Sequence, residues 1–287
     1  MCLLDLCLNG DLEGVKAALK SGADVDTSDE DGFTGLMWAI SNQSRWARAG
    51  RSEAECKNFS SVIALLLRAP NIDVNLKSEF GWCALFEAVS MCNNEALMLL
   101  LRHPNIDANI LDCDGGNALH TAVFSDNIEG LKLLLDDPNI NVNLVDNKGE
   151  SVVHWAMRKN SIEGLKLLLD VPNIDVNIVD NDGVSAVHWA MSKNYNIKGL
   201  KLLLKHRGLT ALTLNHKDKD KGATPVMWAV RKKRLEVLAL LAADPRVDLD
   251  TTDKEGRSLE DIARWVLLLL HSQSCHNSRQ INDKLLI

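Results

Sequence analysis

The sequence lacks a hydrophobic run long enough to cross a bilayer, because its uninterrupted apolar stretches, such as WVLLLL at residues 265–270, are no longer than seven residues. Its first residues also lack the basic segment of a secretory signal, and Asp5 interrupts the apolar residues there. We therefore expect neither a membrane span nor secretion.

Paired cysteines are missing as well. The seven cysteines are scattered, odd in number and never spaced as CxxC. In a chain that is not secreted, this pattern favours free thiols, several of them buried as small hydrophobic side chains, over disulfides or a metal site. We expect a cytoplasmic protein, with the nucleus as a second compartment, and no metal or other cofactor.

The chain has no excess of basic residues, since 32 lysines and arginines stand against 39 aspartates and glutamates, a formal net charge of −7. Nucleic-acid-binding domains usually present a basic face, so we do not expect nucleic acid as the main partner. Catalytic motifs are absent too: there is no nucleophile elbow, no phosphate-binding glycine loop and no HExxH. These absences indicate a protein that is not an enzyme.

What the chain does contain is a period of 34 residues. Prolines and glycines keep this spacing, namely Pro70, Pro104, Pro138, Pro172, Gly81, Gly115, Gly149 and Gly183. A constant period of this length is typical of a chain built from one repeated supersecondary unit. A single unit cannot bury its own apolar face, so the pattern predicts neighbouring units stacked into a solenoid.

The unit of residues 146–179 shows what is repeated. It begins with DNKG, which is typical of a turn in which Gly149 takes a positive φ. Ser151 suits the N-cap of a first helix with apolar residues at i, i+3 and i+4, and Asn160 suits its end. A second apolar helix follows, and Pro172 predicts its end before an extended return segment.

A six-residue signature opens each predicted first helix. The clearest copies are NALHTA at 117–122, SVVHWA at 151–156 and SAVHWA at 185–190, and degenerate copies are TGLMWA at 34–39, CALFEA at 83–88, TPVMWA at 224–229 and SLEDIA at 258–263. These segments resemble the T-P-L-H-x-A signature of the ankyrin repeat. The resemblance covers roughly residues 3–270 and implies an all-α fold with short hairpin loops, an ankyrin-repeat solenoid of stacked helix-turn-helix units.

We predict a single array over residues 1–271, with a partial repeat at 1–28 and a flexible tail at 272–287. Seven repeats start near residues 29, 78, 112, 146, 180, 219 and 253. The repeat that starts near residue 29 carries a 15-residue insertion within 42–58. The repeat that starts near residue 180 has one extra residue near Asn194 and four more in its return segment.

Histidines and tryptophans recur in the signature. One histidine per repeat cannot share a metal with its neighbours, because packed helices lie about 8–10 Å apart. The resemblance implies instead that these histidines hydrogen-bond backbone across the repeat junction, and they are His120, His154 and His188. The tryptophans that follow either pack between repeats, which we favour, or form an exposed aromatic strip, and they are Trp38, Trp155, Trp189 and Trp228.

Partners of ankyrin repeats commonly contact the hairpin tips and the first helices, so the resemblance implies binding residues there and on the insertion. The candidates are Phe33, Trp38, Arg45, Trp46, Arg48, Arg51, Phe80, Trp82, Asp114, Lys148, Glu150 and Asp182. The aromatic residues at the tips either meet a partner or fold back on their own unit. The basic insertion either binds an acidic partner or phosphate, or it is a flexible loop.

One modification is also implied. The segment LLLDVPNIDVN resembles the site at which a cytosolic oxygenase hydroxylates ankyrin asparagines, and four residues match the modified position: Asn75, Asn109, Asn143 and Asn177.

The leading functional hypothesis is a protein-binding module, monomeric on its own, that acts as a scaffold, adaptor or inhibitor through the concave groove and the hairpin tips. A narrower alternative is an inhibitor of a signalling protein or transcription factor, like the inhibitor-of-kappaB proteins. Another is a substrate-recognition subunit of a ubiquitin ligase, although no convincing C-terminal box is visible. A different class of function would be phosphate or nucleic-acid binding through the insertion.

Overall fold

The computed structural model describes residues 2–191 and 196–264, and these residues divide into two compact units. Unit 1 contains the residues up to Asn147 together with Lys166–Ile174, and unit 2 contains Lys148–Leu165 and the described residues from Asp175 onwards. Within the described ranges the regular structure is helical, apart from isolated antiparallel bridges such as that between Ser28 and Thr34. No helix in these ranges is long and apolar enough to span a membrane.

Unit 1 contains two rows of helices. The inner row comprises α1 (Leu3–Asn9), α3 (Gly35–Arg48), α5 (Ala84–Ser90) and α7 (Ala118–Phe124), and the outer row comprises α2 (Leu12–Lys20), α4 (Glu53–Leu66), α6 (Asn94–Leu101) and α8 (Ile128–Leu135). Each helix packs against the next one in its row and against its partner in the other row. The signature alanines Ala39, Ala88 and Ala122 are fully buried in the inner row, where their small side chains allow close packing.

Unit 2 repeats this plan, with a short 3₁₀ helix in place of one inner α-helix. Its inner elements are α9 (Val152–Lys159), a 3₁₀ helix (His188–Met191) and α13 (Pro225–Arg231), and its outer helices include α11 (Ile197–Lys205) and α14 (Leu235–Ala242). Helix α10 (Ile162–Leu169) spans the boundary between the residue ranges of the two units. The 3₁₀ helix stands where the periodicity predicts an α-helix, and the extra residue predicted near Asn194 lies outside the described residues.

The hairpin turns confirm the prediction from the periodic glycines. The glycine before each signature has a positive φ, and these residues are Gly32, Gly81, Gly115, Gly149, Gly183, Gly222 and Gly256. A side chain would also collide with the next hairpin, since a Cβ atom on Gly81 would lie 2.6 Å from the backbone nitrogen of Cys113. Adjacent hairpins are joined by backbone bonds such as that from Asn147 N–H to the Asp114 carbonyl, 2.8 Å. Glycine is therefore required here both for the turn and for hairpin contact.

Asparagines at the start of outer helices join one repeat to the one before it. The Asn127 side chain caps α8 by accepting from Gly130 N–H at 2.8 Å, and its amide donates to the Val89 carbonyl at 2.9 Å. Asn93 caps α6 in the same way and donates to the Ile40 carbonyl. One buried side chain thus satisfies polar groups of two repeats at once.

The insertion within residues 42–58 is helical, and it is not a loop. It lengthens α3 and α4 to 14 residues each, whereas α5 and α6 have 7 and 8. A short turn around Gly50, which has a φ of 71°, joins the two long helices. The four extra residues before the hairpin of residue 219 also become helical, as α12 (Ala211–Leu214).

The last repeat, which starts near residue 253, is described only in part. Residues 259–264 are helical, and Ile262 is buried against Ala223 and Met227. The rest of the predicted array and the predicted tail at 272–287 lie outside the described residues.

Candidate functional site

The aromatic residues of the first hairpin fold back on their own repeat. Phe33 is half-buried, with its ring centroid 5.6 Å from that of Trp38. The Trp38 indole N–H donates to the Asp29 carboxylate at 2.8 Å, and the Arg45 guanidinium lies 5.9 Å from the Trp38 ring centroid. The cluster is therefore packed within its repeat and leaves the exposed Arg45 at its edge.

An aromatic pair and a hydrogen bond to the next repeat are among the contacts that anchor the inserted helical segment. Trp46 meets the fully buried Phe59 edge to face, with centroids 5.0 Å apart. Arg51 lies over the same Trp46 ring at 5.0 Å, and Arg48 donates to the Met91 carbonyl at 2.7 Å. Both arginines are exposed, so the segment presents positive charge from a fixed support.

The second hairpin places its two aromatic candidates differently. Trp82 is half-buried, packs against Phe86 with centroids 5.4 Å apart, and donates its indole N–H to the Glu87 carboxylate at 2.7 Å. Phe80 is 59% exposed. Of the three aromatic candidates at these hairpin turns, Phe80 is exposed, whereas the rings of Phe33 and Trp82 fold back on their own repeats, which is the second of the two alternatives that the sequence leaves open.

Among the charged tip candidates, Asp114, Lys148 and Asp182 are exposed, whereas Glu150 is not. Glu150 is 3% exposed and accepts two hydrogen bonds from Arg158, at 2.7 and 3.0 Å. The prediction that Glu150 is a partner-binding residue at a hairpin tip is therefore wrong, because its buried carboxylate is paired with the half-buried Arg158.

Arg158 is enclosed by aromatic rings, a feature that the sequence pattern did not reveal. Its guanidinium lies 4.6 Å from the Trp155 ring centroid and 5.4 Å from that of Trp189. Trp228 similarly packs edge to face against the buried His188 at 5.2 Å. These contacts agree with the packing role that we favoured for the signature tryptophans.

The histidines of unit 2 make the predicted backbone contact across the repeat junction. Nδ1 of His154 accepts from the Ser151 N–H at 3.1 Å, and Nε2 lies 3.1 Å from the Val184 carbonyl, to which it donates. His188 pairs in the same way with Ser185 and the Ala223 carbonyl. Burial lowers the pKa of His188 to about 4, so this ring is neutral.

The four asparagines predicted as hydroxylation sites form a ladder along the return segments. Each side-chain amide donates to the carbonyl of a residue 30 or 31 positions later, at 2.7 or 2.8 Å. The amide oxygen of Asn109 also accepts from the Asn141 N–H at 2.7 Å. Asn215 makes the same bridge to Arg246 and Asp248, and sequence reasoning missed it because the period slips there.

Two cysteines confirm the prediction of buried thiols. Cys7 and Cys83 are almost completely buried, and burial raises the pKa of Cys7 to about 12 and that of Cys83 to about 11. Both thiols therefore stay protonated and unreactive at neutral pH.

Comparison with known proteins gives a family and a fold. A family model described as ankyrin repeats matches three times, over residues 53–146, 92–180 and 153–253. These matches together extend over more than half of the chain. A search of curated proteins finds no match.

Solved structures share the fold. The ankyrin repeat domain of Bcl-3, described as a unique member of the IkappaB protein family, aligns with a TM-score of 0.63 and 20% identity over 84% of this chain and 100% of that one. An ankyrin repeat domain from Acinetobacter baumannii AYE aligns with a TM-score of 0.59 and 25% identity over 70% and 95%. The ankyrin repeat protein EF0377 aligns with a TM-score of 0.60 and 24% identity over 72% and 98%.

Proposed function

Because this chain belongs to the ankyrin-repeat family, whose repeats are in general protein–protein interaction modules, we propose that it is a non-enzymatic binding protein whose partner contacts the inserted helices of unit 1. The partner would be another protein, bound by a chain that is monomeric on its own. The free thiols predicted from the sequence are consistent with a cytoplasmic or nuclear location.

The observation that carries this proposal is the helical insertion. It fixes three exposed arginines, Arg45 and Arg48 on α3 and Arg51 in the turn that follows, by ring contacts and a backbone bond. A surface that is already ordered loses little conformational entropy when a partner binds. Guanidinium groups held in this way suit paired hydrogen bonds to carboxylates.

Phe80 is the apolar candidate at the second hairpin of the same unit. Its ring is 59% exposed, and such a ring would gain most from burial against a partner. We therefore include Phe80 with the arginines in the proposed contact surface, and we assign Phe33, Trp38, Trp46 and Trp82 the role of supporting it from within their repeats.

The test is affinity capture by the immobilised full chain, with bound proteins identified by mass spectrometry. We expect a partner that is retained by the wild type and reduced at least tenfold by the triple variant Arg45→Gln, Arg51→Gln, Phe80→Ser. The matched control is Arg68→Gln with Arg102→Gln, which removes two exposed charges elsewhere. Equal retention by all three proteins would contradict the proposal, as would retention of nothing above a column without bait.

The narrower roles differ in what the captured partner would be. A transcription factor or signalling protein would favour an inhibitor, and a ubiquitin-ligase subunit would favour substrate recognition. Phosphate or nucleic-acid binding by the insertion would instead appear as affinity that falls steeply with salt. The similarity to Bcl-3, at 20% identity, supports the fold alone.

Hydroxylation of the ladder asparagines remains a separate proposal. Each of these side chains is held by a bond to the next return segment, so an oxygenase would act on a locally opened segment. Mass spectrometry of the native protein should show a gain of about 16 Da on peptides containing Asn75, Asn109, Asn143 or Asn177. Unmodified peptides at all four positions would remove the proposal.

A further inference from the structure

Unit 2 contains a groove made of two adjoining cavities. The larger has a volume of about 450 Å³ and the smaller about 300 Å³, and both are lined by Lys221 and Arg231. The larger cavity lies beside Trp228, and the smaller is bordered by Arg257 and Ile262. The two cavities therefore adjoin at Lys221 and at Arg231 of α13, and each is of a size that accommodates a side chain of a bound peptide.

Two guanidinium groups are held together at the smaller cavity. Asp253, whose side chain is fully buried, binds Arg231 at 2.6 Å and Arg257 at 2.8 Å, and so holds two guanidinium groups side by side. Glu255 takes one further bond from Arg257, at 2.7 Å. In the described part of the chain no side-chain partner is found for the exposed Lys221 at the same cavity. Three cations therefore face two carboxylates, which leaves positive charge for a ligand.

Burial and hydrogen bonding act in opposite directions on Asp253. Burial alone would raise the pKa of this carboxyl, but hydrogen bonds from Arg257 and the charges of Arg257 and Arg231 outweigh it and hold the pKa below its ordinary value. Asp253 therefore stays ionised at neutral pH and keeps both guanidinium groups in place.

The larger cavity has exposed carboxylates at its rim. Asp182 and Asp220 are exposed there, and their carboxylates have no side-chain partner among the described residues. On the inner wall, Lys232 lies 4.3 Å from the centroid of the Trp228 ring. The Trp228 N–H donates to Asp218 at 2.6 Å, which fixes the ring. The groove thus offers carboxylates at one end, a fixed aromatic wall, and guanidinium groups at the other end.

From this charge distribution we propose that the groove of unit 2 binds an extended peptide segment of a partner protein in which an acidic residue and a basic residue lie a few positions apart. The acidic side chain enters the smaller cavity and meets Lys221, Arg231 and Arg257. The basic side chain lies at Asp182 and Asp220. This inference rests on the proposed binding function and adds a second surface, with a partner of stated chemistry.

The test uses a displayed library of random dodecapeptides selected on the immobilised full chain. We expect enrichment of sequences with one Asp or Glu and one Lys or Arg two to five positions apart. Synthetic copies of the best peptides should bind at least tenfold more weakly after Glu→Gln or Asp→Asn replacement in the peptide. They should also bind at least tenfold more weakly to Lys221→Gln with Arg257→Gln.

Two further variants separate binding from folding. Lys221→Gln alone leaves both bonds to Asp253 intact, and we expect a threefold or larger loss of affinity with an unchanged circular dichroism spectrum. The matched control is Lys233→Gln, which removes an exposed charge next to Lys232 but lines neither cavity, and it should change affinity less than twofold.

The possible outcomes discriminate between the two binding hypotheses. Selected peptides that depend on Arg45, Arg51 and Phe80, and not on Lys221 and Arg257, would overturn this inference and support the proposed function. Failure to select any peptide, together with capture of no protein, would count against both. Binding of only a phosphorylated copy of the peptide, or equal binding of single-stranded DNA, would overturn the assignment to a carboxylate-bearing peptide.

Discussion

The repeat of residues 29–77 and the one that follows it, residues 78–111, share a frame but differ in helix length. Both begin with a hairpin glycine of positive φ, and both end in a return segment with the same NIDVN or NIDAN pattern. Yet the helices of the first have 14 residues each and those of the second 7 and 8. The added residues extend the end of α3 and the start of α4 on either side of the turn that joins them, far along the chain from the hairpins.

This difference shows which positions of a repeat tolerate inserted residues. Hairpins bond to the hairpin of the next repeat, so an insertion there would disrupt two repeats. Return segments are also bonded to the next repeat, although the repeat that starts near residue 180 accommodates four extra residues there as α12. In the described regular repeats of unit 1, the turn between helices is joined to the preceding repeat by an asparagine side chain, whereas hairpins are joined by backbone bonds. Lengthening the turn on its other side only extends two helices that already pack together. Such a position is where a repeat protein can acquire a new surface without losing its frame.

The largest expected effect tests whether the longer helices are packed as firmly as the frame. Phe59 is fully buried, contacts Trp46, and its ring lies 3.1 Å from where a Cβ atom on Gly10 would stand. We expect Phe59→Ala to lower the free energy of unfolding by about 3–5 kcal/mol, measured by urea denaturation. Phe80→Ala, at an exposed ring, should change it by less than about 0.5 kcal/mol. A loss below about 1 kcal/mol for Phe59→Ala would show that the long helices are loosely attached.

The next effect concerns the asparagine bridges that the two kinds of repeat have in common. Asn127 joins two regular repeats, and Asn93 joins a regular repeat to the one with the insertion. Each is buried, caps a helix and satisfies a carbonyl, so alanine at either position should cost about 2–3 kcal/mol. The exposed Asn71 is the control for the same substitution. A small loss at Asn93 beside a large one at Asn127 would mean that the insertion weakens its junction.

The sequence predicts the features that depend on local structure, and it does not predict those that depend on contacts between residues distant in the chain. Local backbone geometry determines the glycine turns and the helix boundaries at Ser151 and Asn160, and periodic residues reveal it. The buried thiols are predicted from the absence of cysteine pairs. The Arg158 enclosure depends on which repeats face each other, and the helical form of the insertion depends on Trp46 meeting Phe59. Those contacts join residues whose spacing carries no signal, so they appear only in three dimensions.

A smaller effect on the free energy of unfolding is expected at Asp26, where the first return segment lacks the asparagine that bridges the later ones. Asp26 stands at the position of Asn75, and its carboxylate accepts from the Asp73 N–H at 3.1 Å but has no amide to donate. Asn75 both donates to the Asn105 carbonyl and accepts from the Asp107 N–H. We expect Asp26→Asn to complete the bridge and raise the free energy of unfolding at pH 7 by about 1 kcal/mol.

This gain should depend on pH in a defined direction. Burial, helped by the nearby charges of Asp24 and Asp73, raises the pKa of Asp26, while the bond from Asp73 N–H opposes the rise. A raised folded-state pKa means that the ionised carboxylate opposes folding, and that this penalty fades as pH falls from the raised pKa towards the unfolded value near 4. The difference between Asp26→Asn and the wild type should therefore shrink between pH 7 and pH 4 in thermal melts. A difference that grows on acidification would contradict the assigned direction.

The smallest expected effect lies at the turn between the helices, where the two repeats use different residues for the same backbone conformation. The long helices are joined through Gly50 at a φ of 71°, and the short ones through Cys92 at a φ of 55°. A left-handed conformation costs a residue with a Cβ atom about 1 kcal/mol, partly offset by the greater freedom of an unfolded glycine. Cys92→Gly should therefore stabilise the protein by about 0.5 kcal/mol.

The reverse exchange isolates backbone strain from packing. A Cβ atom on Gly50 would meet nothing within 4 Å, so any cost of Gly50→Ala comes from φ alone, and we expect about 1 kcal/mol. Cys113→Gly is the control, since Cys113 is exposed and has no positive φ, and it should give no stabilisation. Destabilisation by Gly50→Ala and stabilisation by Cys92→Gly, with no gain from Cys113→Gly, would show that a left-handed residue favours glycine in both turns, although one of them carries the insertion. A lower free energy of unfolding for Cys92→Gly would instead mean that contacts of the Cys92 side chain stabilise the protein by more than the left-handed backbone costs.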